Sequence, residues 1–305
     1  MAQREQLRTR AIDRGADVFL QLFQRHNGAF RADLGIIDSP APLCEGRAAL
    51  TLEFCVVAFA KAADGVRIAY EILGDAADTI VLVHGFASSR AQNWRDTGWY
   101  DTLVKAGLRV VAMDCRGHGD SDRPHDDASY GDKMVGDIVT VMDAAGVGRA
   151  AVMGYSMGGI LTVGLLMTNP RRVSRAIVAG IGESYFASKS HRRGIAVALR
   201  ATDPSTIADP QEKAFRAFAS QVGKDRLALA ACMSADRTMY TRDQLRDCRV
   251  AVLVVDGDRD TQAGRPEPLA ESFAHGRAVI VPGRDHMTAV GDKLYKQAAL
   301  EFLST

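Results

Sequence analysis

The apolar positions of this chain fall into short dense runs separated by longer amphipathic stretches. The runs are TIVLVH at 79–84, LRVVAMD at 108–114, RAAVMGY at 149–155, RVSRAIVAG at 172–180, VAVLVVDGD at 250–258 and RAVIVPG at 277–283. Near-continuous, β-branched segments of that length predict strands buried on both faces. Ahead of them, AFAKAADGVRIAYEILGD at 58–75 reads as strand, Asp-Gly turn, strand, which predicts a hairpin. Residues from about Tyr130 to Ala145, Met157 to Thr168 and roughly Lys293 to Leu303 predict helices. Strands alternating with helices predict an α/β fold: a mostly parallel sheet covered by helices on both faces.

Two stretches break the alternation. Residues 181–249 hold helix-like segments, FRAFASQV at 215–222 and RLALAACM at 226–233, and no strand. They predict a helical insertion between two sheet strands. At the other end, Leu7, Ala11, Val18, Phe19, Leu22 and Phe23 recur at helical spacing, with Asn27-Gly28 as a stop. Residues 28–47 are irregular. AALTLEFCVVAFA at 48–60 has the look of the apolar part of a secretion signal, but Glu53 interrupts it and it lies far from Met1. It reads instead as the lead-in to the first strand. The organisation expected is an N-terminal extension at 1–55, either a real element or the product of a start site placed too far upstream. A core follows, built from 56–182 and 248–305, with a helical cap at 183–247.

Composition narrows the classes. Of 305 residues, 47% are hydrophobic and 25% charged, ordinary for a globular chain with a sizeable core. Thirty-eight basic against 37 acidic residues leave +1, which gives no electrostatic reason to expect nucleic acid as a partner. No apolar run is long enough to span a membrane. Cys44, Cys55, Cys115, Cys232 and Cys248 are scattered and odd in number, with no CxxC pair. That pattern argues against a disulfide framework or a metal site, and fits reduced thiols in the cytoplasm.

The chemistry gathers at four places. Gly154-Tyr155-Ser156-Met157-Gly158 matches G-x-S-x-G, with an apolar strand running in and an apolar helix running out. A turn this tight leaves a serine hydroxyl exposed at the sheet edge and aims the free N–H groups of a helix N-terminus at it. Ser156 is the candidate nucleophile. Acyl transfer puts negative charge on a carbonyl oxygen, which two fixed N–H donors must meet. Met157, next to the serine, and Phe86, in His84-Gly85-Phe86 after an early strand, are the candidate donors. His84 precedes the serine and is expected to be structural. The hydroxyl needs a base and the base a carboxylate, each on a loop after a late strand. Of the seven histidines, only His286 sits just after such a strand. Asp256, Asp258 and Asp260 end the preceding one. Asp260, furthest along, is the candidate orienter. Asp256 is expected to cap its strand, and Asp258 and Asp285 to serve their turns.

These segments resemble the α/β-hydrolase superfamily from about Ala58 to the C-terminus. The resemblance rests on HGF at 84–86, DCRGHGDSD at 114–122, GYSMGG at 154–159, GDRD at 257–260 and GRDH at 283–286. It implies an eight-stranded sheet with a helical cap, no cofactor, and a pairing of Arg116 with Asp122 that turns the chain after the fourth strand. It also implies a serine hydrolase cleaving an ester or related acyl bond of a small molecule. A lactone, an amide or the carbon–carbon bond of a diketone are the alternatives on the same groups, and a non-catalytic ligand-sensing or scaffold protein is the alternative of another class. The base loop, GRDHM, departs from the small-residue approach usual in the family, so the resemblance does not carry a close substrate analogy. The insertion at 183–247 holds eleven Lys/Arg and eight Asp/Glu, a surplus of three that by itself names no anionic substrate. Its Phe186, Phe215, Phe218 and Met233 read as helix core before pocket lining.

Overall fold

The computed structural model describes residues 56–187 and 191–305. The helix expected in the first 27 residues, the irregular segment after it and most of the 48–60 stretch lie outside the described residues, as do Cys44 and Cys55.

Eight strands form one sheet: β1 (Ala58–Lys61), β2 (Arg67–Leu73), β3 (Thr79–Val83), β4 (Arg109–Met113), β5 (Ala150–Tyr155), β6 (Val173–Ala179), β7 (Ala251–Gly257) and β8 (Gly276–Val281). Their order across the sheet is β1-β2-β4-β3-β5-β6-β7-β8. The hairpin pairs antiparallel with itself and with β4, and every later pairing is parallel.

Alternation along each strand sorts the core into two layers. Val81, Val83, Val111, Met113, Val152 and Val178 face α2 (Lys133–Ala144) and α3 (Met157–Thr168). Ile80, Leu82, Val110, Met153, Ile177 and Leu253 face α1 (Trp99–Lys105) and α9 (Lys293–Ser304). All of these strand residues are buried. That is why the runs read as continuous rather than alternating.

Between β6 and β7 the chain leaves the sheet. It forms α4 (His191–Arg200), α5 (Pro210–Phe218), α6 (Arg226–Ser234) and α7 (Arg242–Arg246), and the short α8 (Glu267–Ala270) follows β7. Asp209 caps α5 by accepting from Glu212 N–H, and Thr241 with Gln244 forms a reciprocal capping box on α7. The cap has a small core of its own: Ile195 and Leu199 of α4, Phe218, and Leu229 and Ala230 of α6, with Ala87 of the loop after β3. Phe218 is buried there, and Phe86, Phe215 and Met233 pack against it. The cap is thus seated on the loop that carries Phe86.

One pairing expected from the resemblance is not formed. Arg116 is buried and bonds Asp137 of α2 at 2.6–2.7 Å and Asp64 of the hairpin turn at 2.7 Å. Asp122 instead pairs with Arg67 at the start of β2, at 2.9 Å. The physical reason is burial. A guanidinium this deep needs carboxylates on the elements that enclose it, whereas Asp122 lies near the surface beside β2.

Candidate active site

The structure puts Ser156 between β5 and α3 with φ 54° and ψ −113°. A non-glycine residue at positive φ is strained and persists only where its surroundings over-determine it. Here they do. The Ser156 N–H donates to Ala179 O at 2.7 Å, which ties the turn to the end of β6. The flanking glycines allow the backbones to meet. A Cβ on Gly158 would lie 2.0 Å from Val83 O, and one on Gly154 would lie 2.2 Å from Gly158 O. The G-x-S-x-G spacing is therefore a packing requirement of the turn as well as a signature. Gly158→Ala is expected to cost about 3 kcal/mol in urea unfolding, because the added methyl meets backbone that cannot rotate away. A wild-type midpoint would contradict this account of the turn.

His286 lies in the loop between β8 and α9. Its Nε2 is 3.0 Å from Ser156 Oγ, and its Nδ1 is 2.7 Å from Asp260 Oδ2. An ionised carboxylate only accepts, so Nδ1 carries the proton and Nε2 is free to accept from the serine hydroxyl. Tyr155 OH donates to His286 O at 2.6 Å and its ring packs against the imidazole, so the loop is held from beneath. Burial pulls the imidazole pKa down, but the charge and hydrogen bond of Asp260 outweigh it, with help from Asp256 and Asp285, and hold it above its ordinary value. Burial pushes Asp260 up, and the His286 ring together with the N–H groups of Ala263 and Gln262 holds it below the usual carboxylate range. Those two N–H groups donate to Asp260 Oδ1 at 2.9 Å each, so one oxygen is fixed by backbone and the other faces the imidazole.

The neighbouring aspartates do other work. Asp256 is buried on β7 and accepts from Gly180 N–H at 2.7 Å. It ties the end of β6 rather than capping its own strand, because its side chain lies against Gly180 and Gly182, which follow β6. Burial and the Asp260 carboxylate push its pKa up to about 7. Asp258 accepts from Gly283 N–H at 2.6 Å, and so clasps the following loop rather than its own turn. Asp285 accepts from the Met287 and Thr288 N–H groups within its own loop.

Met157 follows the serine at the start of α3, and Phe86 follows Gly85 in the loop after β3. A Cβ on Gly85 would sit 3.4 Å from Ser156 Cβ, so the loop after β3 passes directly over it. Neither the Phe86 nor the Met157 N–H donates to a partner among the described residues. His84 is fully buried. It accepts from Cys115 N–H through Nε2 at 3.0 Å and so donates through Nδ1 to Gly85 O at 2.7 Å. Asn93, which no sequence motif marked, accepts from Gly85 N–H at 3.1 Å. It sits in a π-helical turn at Ala91–Arg95, and a lone Asn in an unpatterned loop carries no signal of that role.

Electrostatically, the arrangement can take a proton from a hydroxyl and hold the resulting imidazolium beside a carboxylate. Among the described residues no cluster of three His, Cys, Asp or Glu could hold a metal ion, and no helix is long and apolar enough to cross a membrane. An open cavity of about 800 Å³ lies at the other end of the sheet, lined by Arg149, Arg171, Arg175 and Arg249, and does not reach Ser156.

Comparisons with known proteins accord with this geometry. The family described as alpha/beta hydrolase fold matches residues 78–276. A 2-hydroxy-6-oxononadienedioate/2-hydroxy-6-oxononatrienedioate hydrolase from Paraburkholderia xenovorans is 33% identical over 124 residues, 40% of this chain and 43% of that protein. The chain spans less than half the length of the curated relatives it matches. Among solved structures, a hydrolase from Pseudomonas aeruginosa is similar with a TM-score of 0.69 at 26% identity, covering 82% of this chain and 98% of that one. An esterase from Rhodococcus is similar with a TM-score of 0.63 at 25% identity, over the same shares.

Proposed function

The chain belongs to the α/β-hydrolase-fold family, and from that premise we propose that it is a serine-nucleophile hydrolase that breaks a bond to a carbonyl carbon in a small organic substrate, with a carbon–carbon bond beside a ketone as the favoured target. The observation that carries the serine chemistry is the continuous hydrogen-bonded line Ser156–His286–Asp260, at 3.0 and 2.7 Å. The choice of bond is supported by the relatives named for an oxo-dienedioate substrate, one of them 33% identical over 124 residues.

In this reading Ser156 Oγ attacks the carbonyl carbon as its proton passes to His286 Nε2. The carbonyl oxygen, now negative, is met by the N–H groups of Phe86 and Met157. The bond from the carbonyl carbon to its neighbour breaks, and the electron pair leaves on that neighbour, which takes the proton from His286. Water, deprotonated by the same imidazole, then releases the acyl group and restores the serine. A carbon leaving group must delocalise its electron pair, so the substrate needs conjugation next to the scissile bond. An ester needs none, because its electron pair leaves on oxygen, which takes the His286 proton as it departs. Simple ester hydrolysis is the second reading, favoured by the similarity to the Rhodococcus esterase.

The two readings separate in one experiment. The enzyme is given a 2-hydroxy-6-oxo-dienedioate, followed by the loss of its conjugated absorbance, and p-nitrophenyl esters of increasing chain length. The carbon–carbon reading expects the larger kcat/KM on the dienedioate. A kcat/KM larger on the esters would put ester cleavage first. Failure to turn over either, with no fluorophosphonate labelling at Ser156, would return the chain to the scaffold reading.

A further inference from the structure

One carboxyl beside the catalytic groups takes no part in the proton transfers. Asp256 is buried at the end of β7 as deeply as Asp260, and both act on the same histidine. Their surroundings differ. Asp260 Oδ2 meets His286 Nδ1 at 2.7 Å, and its Oδ1 accepts from two N–H groups. Asp256 Oδ1 accepts from one, Gly180 N–H at 2.7 Å. Its Oδ2 is buried without a hydrogen bond, although the Gly182 N–H is near enough to weigh on its charge. Asp256 forms no ion pair among the described residues. Two carboxylates that share a buried site repel each other, and the one with fewer donors keeps its proton longer. That one is Asp256, whose pKa is pushed up to about 7 by burial first and by Asp260 next.

The groups packed around it offer no fixed counter-charge. Asp260 opposes its negative charge, and His286, from the loop after β8, favours it only when cationic. Tyr155 of β5 and Tyr295 of α9 are buried phenols, and the charge of Asp256 pushes the pKa of each up. Arg265, whose backbone carbonyl lies against Gly182, turns its guanidinium to Glu267 at 3.1 Å. His286 itself also feels Asp285 in its own loop. The Asp256 carboxyl reaches the catalytic groups through backbone. Gly180 has φ 72°, and a Cβ there would lie 3.2 Å from both His286 Cε1 and Ser156 N. Gly180 therefore packs against the edge of the imidazole and the start of the elbow. Its N–H is shared with Val255 O at a longer 3.2 Å, so Asp256 is the closer tether.

We propose that Asp256 is a positioning residue with two states. As the neutral acid it holds Gly180 against the imidazole and leaves Asp260 the foremost charge on His286. As the carboxylate it keeps the tether and adds a further negative charge, which draws His286 towards the cation. The base is then one member of a coupled pair. Protons leave His286 and Asp256 in two steps that belong to both groups, so the acid limb of activity is set by the pair rather than by the imidazole alone. This inference rests on the serine-hydrolase reading, with His286 as its base.

Asparagine has the shape and charge of the neutral acid, so Asp256→Asn locks the first state. On p-nitrophenyl butyrate it is expected to keep its plateau kcat within about threefold and to move the acid limb of kcat/KM to lower pH by about half a pH unit or more. Asp256→Ala drops the tether to Gly180 and is expected to lower kcat about fivefold or more, the size of one hydrogen bond, which the asparagine variant restores. A plateau about 100-fold lower in Asp256→Asn, as expected of Asp260→Asn, would overturn the proposal. So would an unmoved acid limb, or an alanine variant with full kcat. Thermal melts give a second readout. A carboxyl whose pKa is raised in the fold loses stability as pH rises. The wild type should therefore fall behind Asp256→Asn between about pH 4, where the unfolded chain ionises, and about pH 7, with a constant gap above. A gap that is the same at every pH, or an asparagine variant that does not fold, would mean that the carboxyl is ionised in the fold and would overturn the proposal. The melts need no substrate, which keeps the two readings apart. A widening gap in a wild type that turns over nothing and takes no fluorophosphonate strikes the hydrolase reading and the positioning role with it. Normal turnover with a constant gap removes the two states of Asp256 and leaves the nucleophile.

Discussion

Ser156→Ala is expected to fold as the wild type does and to lose a factor of about 10³ or more in kcat. The serine hydroxyl makes one side-chain hydrogen bond, to His286, so its removal opens no large cavity and strands no charge. The strain at φ 54° is carried by the backbone and stays in the variant. Alanine at that φ is no worse than serine, and the turn is still held by the Ser156 N–H bond to Ala179 O. What is lost is the covalent path. The Phe86 and Met157 N–H groups and the imidazole remain, and can at most polarise the carbonyl for direct attack by water. Stopped-flow turnover and a thermal melt on the same preparation check both halves of the expectation. Turnover near the wild-type rate in a folded variant would mean that another group attacks, and the roles given to His286 and Asp260 would fall with it.

The parts of the fold legible in the sequence were those set by local patterning. Each expected strand appears within about two residues of its observed bounds, because strands buried on both faces leave dense β-branched runs. The helix after Ser156 is bounded at Met157 and Thr168 in both readings, since the elbow fixes its start. Features set by tertiary partners were not legible. α1 is only seven residues long, too short for a period to declare itself, and its place is fixed by Trp99 and Leu103 packing under the sheet. Arg116 finds Asp137 and Asp64 rather than Asp122, a choice made by which elements close around it. Asn93 supports Gly85 across eight residues of irregular chain.

Asp260→Asn is expected to lower kcat by about 10²–10⁴ with little change in stability. The argument starts from three aspartates within five residues, whose surroundings now separate their roles. Asp258 holds Gly283 N–H, so Asp258→Asn removes one loop hydrogen bond and costs about 1 kcal/mol. Asp256 holds Gly180 N–H and, with its pKa pushed up to about 7, is partly neutral near neutrality. Asp260 alone reaches His286 Nδ1, with its second oxygen fixed by Gln262 and Ala263 N–H. Asparagine keeps that shape but no longer offers a negative charge, and its amide NH₂ can turn towards Nδ1 and stabilise the tautomer in which Nε2 carries the proton. That tautomer cannot accept from Ser156. The pH profile supplies a sign that mere loss of shape would not. Burial lowers the His286 pKa, and Asp260 is the foremost group raising it back above the ordinary value. Activity in the wild type is therefore lost as pH falls through a raised pKa, where the imidazole becomes cationic and can no longer act as base. In the Asn variant burial is less opposed, so the acid limb of kcat/KM should move to lower pH even as its plateau drops. An Asp258→Asn enzyme should show the wild-type limb and plateau with a lower thermal midpoint. Should Asp258→Asn be the inactive variant, or should Asp260→Asn lose activity with its acid limb unmoved, the carboxylate that orients His286 has been misassigned.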